Sequence, residues 1–252
     1  MILLLGGTSE SLMVADRLTE LGYPFVVSVI SEYGAQLAKQ HAKQVVQVTF
    51  SPDSLAAFCR EHQIKLILDV THPFARVISE EAIICAQTLA ISYLRFERPS
   101  LVESTPGIVS VNSMAEAIEY LRTINGPIYL STGSKTAPAY AAALGVERLR
   151  VRVLPTPRVL ETLSAAGYSA AQIDALQGPF SKNLNIELFK RAHAQVVVTK
   201  ESGQRGGIQE KIAAAQALEI PCVIIRRPPM DYPEVVGDLA TLTTQLEVKY
   251  GR

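Results

Sequence analysis

The chain has few of the residues that build metal and redox centres. Cysteine occurs three times and histidine four times in 252 residues. Cys59, Cys85 and Cys222 lie far apart, in apolar contexts, with neither zinc spacing nor a CxxC pair, so they read as buried free thiols of a cytosolic protein. With scattered histidines, no metal site is expected. Charge of one sign is also lacking: Lys plus Arg and Asp plus Glu number 24 each, which leaves no global field to draw in nucleic acid. An acidic ligand has to be met by local clusters. No apolar run approaches the ~20 residues of a membrane span, and Met1-Ile2-Leu3-Leu4-Leu5 lacks the basic flank and length of a signal peptide. The expectation is a cytoplasmic protein with no membrane partner. There is no Walker lysine and no nucleophile elbow, so kinase and hydrolase chemistry find no support.

What is present is alternation. Ile2 to Leu5 is short and wholly apolar, as is a strand buried on both faces. Gly6-Gly7 breaks it, Thr8-Ser9 supply helix-cap chemistry, and Leu12, Val14, Ala15, Leu18 and Leu21 form an apolar face ending at Gly22. Strand, glycine turn and helix open a nucleotide-binding βαβ unit. Glycines let the backbone approach a pyrophosphate, and the helix start offers it free N–H groups. The three-glycine fingerprint is incomplete, because Ser11 stands where a later glycine packs against the sheet. Taken alone, the turn is also what an ordinary βα connection shows. Its place on the first strand puts it at the centre of a doubly wound sheet.

Further strands are expected at Phe25 to Ile30, Val45 to Val48, Leu66 to Val70 and Tyr93 to Phe96, with helices between them. Pro73 reads as a first-turn residue of the helix after the fourth strand. The turn-rich stretch through Pro99, Ser100, Thr105 and Pro106 marks a domain boundary. The expected fold is α/β: residues 1–98 form a dinucleotide-binding Rossmann-like domain and residues 99–252 a second one that binds substrate. Strands of the second are expected at Ile128 to Leu130, within Val146 to Leu154, at Ile173 to Leu176, Gln195 to Val198 and Val223 to Ile225. A helix over Leu239 to Val248 closes it. Both sheets are expected to be parallel, with a cleft between the domains.

Ligands of open α/β sheets collect at the carboxyl ends of strands. Here those ends carry Gly, Ser, Thr, Lys or Arg, which hold anions without net positive charge. Singly, Lys135, Lys200, Arg226 and Arg227 read as solvated surface residues; jointly they indicate a binding cleft. Glu32 follows the second strand, where a dinucleotide fold places the acid that binds the adenosine ribose. A carboxylate there repels a 2′-phosphate, which favours NADH over NADPH. Alternatively Glu32 is an exposed first-turn residue matching the helix dipole. His72 in Thr71-His72-Pro73-Phe74 can donate a proton or orient a cofactor. Alternatively its ring only fixes the loop, and spacing alone favours that reading.

Several stretches occur in order along nearly the whole chain: Leu5-Gly6-Gly7-Thr8-Ser9-Glu10, Asp69-Val70-Thr71-His72-Pro73-Phe74-Ala75, Tyr93-Leu94-Arg95-Phe96-Glu97-Arg98-Pro99, Thr132-Gly133-Ser134-Lys135, Gln177-Gly178-Pro179-Phe180-Ser181, Thr199-Lys200-Glu201-Ser202-Gly203 and Arg226-Arg227-Pro228. The set resembles the precorrin-6A reductases of corrinoid biosynthesis. The resemblance implies a nicotinamide-dependent reductase that delivers a hydride, then a proton, to a ring double bond of a ring-contracted polycarboxylate tetrapyrrole. On that reading Gly6, Gly7, Thr8, Ser9, Glu32, Thr71, His72 and Pro73 serve the cofactor, with His72 as the candidate acid and water as its rival. Ser134, Lys135, Ser181, Lys200, Ser202 and Arg226 serve the substrate's carboxylates. Members using NADPH often carry a Ser-Leu-Ala-Gly-Arg-like stretch after the second strand, where an arginine meets the 2′-phosphate. Here it is Ser28-Val29-Ile30-Ser31-Glu32-Tyr33-Gly34, closer to the cobalt-precorrin-6A reductases, for which NADH is expected. The rival expectations are an NADPH-dependent reductase of metal-free precorrin-6A and a non-catalytic nucleotide-sensing Rossmann protein.

Overall fold

The computed structural model describes residues 1–98, 107–201 and 207–250. The boundary turns at Pro99, Ser100, Thr105 and Pro106 lie outside the described residues. The chain divides into two compact units: Met1–Pro99 together with Pro228–Arg252, and Ser100–Arg227.

The first unit runs β1 (Ile2–Leu5), α1 (Ser9–Glu20), β2 (Phe25–Val29), α2 (Glu32–Ala38), β3 (Val45–Gln47), α3 (Pro52–Glu61), β4 (Leu66–Asp69), α4 (Arg76–Thr88) and β5 (Ser92–Phe96). Its sheet has the order β12-β5-β4-β1-β2-β3, β12 being Val235–Val236, and all pairs are parallel. Alternate side chains of β1 explain why the run is apolar throughout. Ile2 and Leu4 pack with Val14, Ala15 and Leu18 of α1, whereas Leu3 and Leu5 pack with Leu55 of α3 and Ala82 of α4. Each fully buried leucine contributes about 2 kcal/mol to folding, so a polar residue has no place on either face. The cysteines follow this logic. Cys59 and Cys85 meet in the α3–α4 layer, and burial, with Cys85 beside it, pushes the Cys59 thiol up to about 12.

The assignment of residues 228–252 to the second domain is corrected by the structure. The chain returns to the first unit, where Val235 pairs with Arg95 and Val236 with Phe96. The closing helix α10 (Leu239–Tyr250) buries Leu242 and Leu246 in the cluster that holds Leu4. A two-residue strand after a proline-rich turn carries no periodicity that sequence reading can use.

The second unit runs β6 (Ile108–Val111), α5 (Met114–Arg122), β7 (Ile128–Ser131), α6 (Ala137–Leu144), β8 (Leu149–Val153), α7 (Pro157–Ala165), β9 (Ile173–Ala175), α8 (Lys182–Arg191), β10 (Val196–Lys200), α9 (Ile208–Ala217) and β11 (Cys222–Ile225). Its sheet, β6-β11-β10-β7-β8-β9, is again parallel. Each sheet therefore reverses its strand order once at the centre, between β1 and β4 in the first unit and between β7 and β10 in the second.

The turn after β1 leaves little room for a side chain at Gly6. A Cβ there would lie 3.1 Å from Val27 Cγ1, 3.2 Å from Ser11 Oγ and 3.3 Å from the Ser28 carbonyl. Gly6→Val is expected to destabilise the protein by ~1–3 kcal/mol through overpacking, measured by urea unfolding against wild type.

Candidate functional site

In the first unit the reversal of strand order places two loops side by side. Leu5 pairs with Asp69, and the Val70 amide donates to the Leu5 carbonyl at 3.0 Å. Beyond these strand ends lie the glycine turn and the Thr71-His72-Pro73-Phe74 loop. Gly7 adopts a φ of +101°, a conformation that favours glycine. Thr8 then caps α1: its Oγ accepts from the Ser11 amide at 3.1 Å and donates to the Val70 carbonyl at 2.8 Å. Ser11 Oγ donates to the Thr8 carbonyl at 2.6 Å. A serine at this buried position thus does the close packing of a third glycine and also completes a capping box. The amides of Ser9 and Glu10, at the first two helical positions, have no acceptor within the helix and point their dipoles at the turn. One oxygen of Glu10 accepts from Ser9 Oγ at 3.0 Å; the other is buried without a hydrogen-bond partner.

The second loop is fixed from beneath by Asp69, which is completely buried. Its carboxylate accepts from the Thr71 amide at 2.9 Å, Thr71 Oγ at 2.7 Å, Ser79 Oγ at 2.6 Å, the Tyr93 hydroxyl at 2.7 Å and Arg95 at 2.8 Å. Arg95 also donates to Glu97 at 2.6 and 2.9 Å and lies over the Tyr232 ring. Burial opposes the guanidinium's charge, but Asp69 and Glu97 outweigh it and hold its pKa above the ordinary value. Burial, then Asp69, drives the Tyr93 phenol upward. None of these residues except Thr71 was singled out as a site residue. The available signal was a charge ending an otherwise apolar strand, Leu-Ile-Leu-Asp beside Tyr-Leu-Arg-Phe.

Pro73 does not sit in the first turn of α4. The helix starts three residues later, after a turn closed by the Ala75 amide donating to the His72 carbonyl at 2.7 Å. Proline's fixed φ suits the second position of such a turn equally well. His72 is exposed, and its Nδ1 accepts from the Phe74 amide at 3.2 Å, which leaves the neutral ring's proton on Nε2. Glu32 is the exposed first residue of α2, just past the end of β2, with Ser31 as cap. Beside it Ile30 is 65% exposed, an apolar surface at a strand end that sequence reading passed over.

In the second unit, Ser134 and Lys135 follow β7 and Lys200 ends β10, so the reversal brings them to neighbouring strand ends. Burial, then the like charge of Lys135, lowers the Lys200 pKa. Gly133, with φ +86°, makes the turn between them. Ser181 caps α8, accepting from the Leu184 amide at 3.2 Å. It belongs to the β9 side of the sheet, away from the reversal. Arg226 is exposed after β11, whereas the Arg227 amide donates to buried Glu201 at 3.0 Å. Ser202 lies outside the described residues. Among the described residues no cluster of His, Cys, Asp and Glu could hold a metal ion, and no helix is long and apolar enough to cross a membrane.

The family model described as precorrin-6x reductase CbiJ/CobK matches residues 1–247. The chain belongs to the precorrin-6x reductase family. It is 35% identical over 239 residues to the cobalt-precorrin-6A reductase of Priestia megaterium, covering 93% of each chain. It is 31% identical over 239 residues to that of Salmonella typhimurium, covering 94% of this chain and 90% of the other. A precorrin-6A reductase of Sinorhizobium sp is 31% identical over 238 residues, covering 93% and 88%. The solved structure of CobK precorrin-6A reductase superposes with a TM-score of 0.82 at 22% identity, over 99% of this chain and 97% of that one, a likeness of fold.

Lys211 of α9 adds a pH dependence to the second unit. It is 6% exposed, donates to Thr199 Oγ at 3.3 Å, and burial followed by the charge of Arg152 lowers its pKa to about 8. Against the ordinary 10.5, the folded state binds fewer protons than the unfolded one between about 8 and 10.5, so stability rises with pH across that window and the cost is full below it. In Lys211→Met that rise is expected to flatten by up to about 3 kcal/mol, measured by urea unfolding from pH 7 to 10.5.

Proposed function

We propose that this protein reduces a ring double bond of precorrin-6A, preferentially its cobalt form, using NADH held at the glycine turn of the first unit. The observation that carries the reading is the pairing of that turn with the Thr71–Phe74 loop across the β1–β4 reversal, within a chain of the reductase family. The turn fits a dinucleotide. The space a Gly6 side chain would fill is closed, Gly7 keeps the backbone bare, and the Ser9 and Glu10 amides face an incoming pyrophosphate.

The reduced nicotinamide, when bound, supplies the hydride. This chain's residues do the rest by binding and orientation. Thr8, its hydroxyl held between Val70 and Ser11, fixes the turn, and Ser9 brings its amide and hydroxyl to the phosphates. Glu32 accepts from the adenosine ribose and disfavours a 2′-phosphate, with exposed Ile30 beside it as a surface for the adenine. Thr71, locked to Asp69, and Pro73 set the loop that carries His72, the candidate proton donor with water as its rival. In the second unit Ser134, Lys135, Ser181, Lys200, Ser202 and Arg226 bind the macrocycle's carboxylates through hydroxyls and cations. Burial, then the neighbouring Lys135 ammonium, disfavours charge on Lys200, and an incoming carboxylate would favour it.

Two measurements test the reading. In anaerobic turnover of cobalt-precorrin-6A with each reduced nicotinamide, NADH is expected to give the higher kcat/KM, and Glu32→Ala to erase most of that preference. Preference for NADPH, or for the metal-free substrate, would transfer the assignment to the other branch of the family. In the double variant Lys135→Met, Lys200→Met, substrate KM is expected to rise by ~10-fold or more, the scale of one or two lost charge-assisted hydrogen bonds, while nucleotide affinity holds. A protein that binds NADH yet oxidises it with neither macrocycle would instead be a nucleotide sensor.

A further inference from the structure

Arg152 of β8 is 6% exposed and forms no ion pair among the described residues; Asp174, itself paired with Arg150, favours its charge only at longer range. Its partners are neutral. One amino group donates to Asn185 Oδ1 at 2.7 Å, another to Ser131 Oγ at 2.8 Å, and the guanidinium lies 4.2 Å from the centroid of the Phe180 ring. The buried carboxylates of this unit have cationic partners. Asp174 takes two hydrogen bonds from Arg150, and Glu201 accepts from Arg227. A buried ion without a counter-ion costs folding energy that a neutral side chain of the same length would not.

The three neutral partners come from three segments at the carboxyl ends of the strands. Ser131 ends β7 and leads into the Gly133-Ser134-Lys135 turn. Phe180 belongs to the loop that ends at Ser181. Asn185 stands in the first turn of α8 and donates to the Ser181 carbonyl at 2.9 Å. One planar fork therefore fixes the β7 end, the 177–181 loop and the start of α8 as one surface. Lys211, buried and donating to Thr199 of β10, is a second cation in this unit whose charge burial, then Arg152, disfavours.

We infer that Arg152 is a positioning residue for the substrate's carboxylates, holding Ser131, Phe180 and Ser181 in register and leaving its own charge to be balanced by the anion that binds above. This rests on the reading of the second unit as the substrate-binding one. The site it organises takes a polycarboxylate, with Ser181 and the Lys135–Lys200 pair making the direct contacts.

The test uses the full chain with Arg152→Gln, which keeps amide donors but no charge, and Arg152→Lys, which keeps charge but no fork. Arg152→Gln is expected to raise substrate KM by ~10-fold or more, with kcat within about threefold and nucleotide affinity unchanged. Its KM should also depend less on ionic strength than wild type's, and Arg152→Lys should restore that salt dependence while leaving KM raised. A folded Arg152→Gln protein with wild-type KM and salt dependence would overturn the inference and leave Arg152 a scaffold residue. If wild type itself turns over neither macrocycle, the functional reading fails separately. The comparison is then made on binding of the polycarboxylate porphyrin uroporphyrin, followed by absorbance. Weaker, less salt-sensitive binding by Arg152→Gln supports the inference, and equal binding contradicts it.

Discussion

The hydrogen bond from Thr8 Oγ to the Val70 carbonyl joins the two loops on which the first unit's chemistry depends. It spans the place where the parallel sheet reverses its order, so that two strand ends open side by side with helices leaving to opposite faces. The same hydroxyl caps α1, so the helix start, the glycine turn and the β4 loop are set by one side chain. A shift of any of the three would move the free amides away from a phosphate.

The two units share a topology but treat buried charge differently. In the first, Asp69 gathers five hydrogen bonds, and the Arg95 beside it is neutralised by Asp69 and Glu97. That network pairs its one cation with two carboxylates and makes a rigid floor for a loop. In the second, the cations Arg152, Lys200 and Lys211 are buried or partly buried, and burial lowers the pKa of each. A nucleotide needs rigid amides and bare backbone; a substrate rich in carboxylates needs stored positive charge. Under the proposed function, each unit carries the electrostatics of one of these tasks.

Much of the fold was legible because strands buried on both faces are apolar at every position, and Gly, Ser and Thr mark their ends. β1, β2, β4, β7 and β11 fall within a residue or two of where the apolar runs put them. What escaped had no local signal. β6 and β12 are short and lie next to turns, and α6, Ala-Pro-Ala-Tyr-Ala-Ala-Ala-Leu, has no polar face to give it a period. The return of the last segment to the first unit depends on a two-residue pairing with β5. The glycine turn could be read because glycine has few other reasons to sit there. The Asp69–Arg95 pair could not, since residues 26 apart meet only through the β4–β5 register. Arg152 has no signal in the sequence, since Asn185, Ser131 and the Phe180 ring meet it only in the fold.

The central claim is that the first unit's reversal point is where the reduced dinucleotide binds. Amide hydrogen exchange of the protein with and without NADH reads it directly. Protection on binding is predicted at residues 6–11 and 70–75, extending to residues 30–34 around Glu32, the acid proposed for the ribose. NADH binding that left the 6–11 and 70–75 amides unprotected, or protected only segments of the second unit, would contradict it.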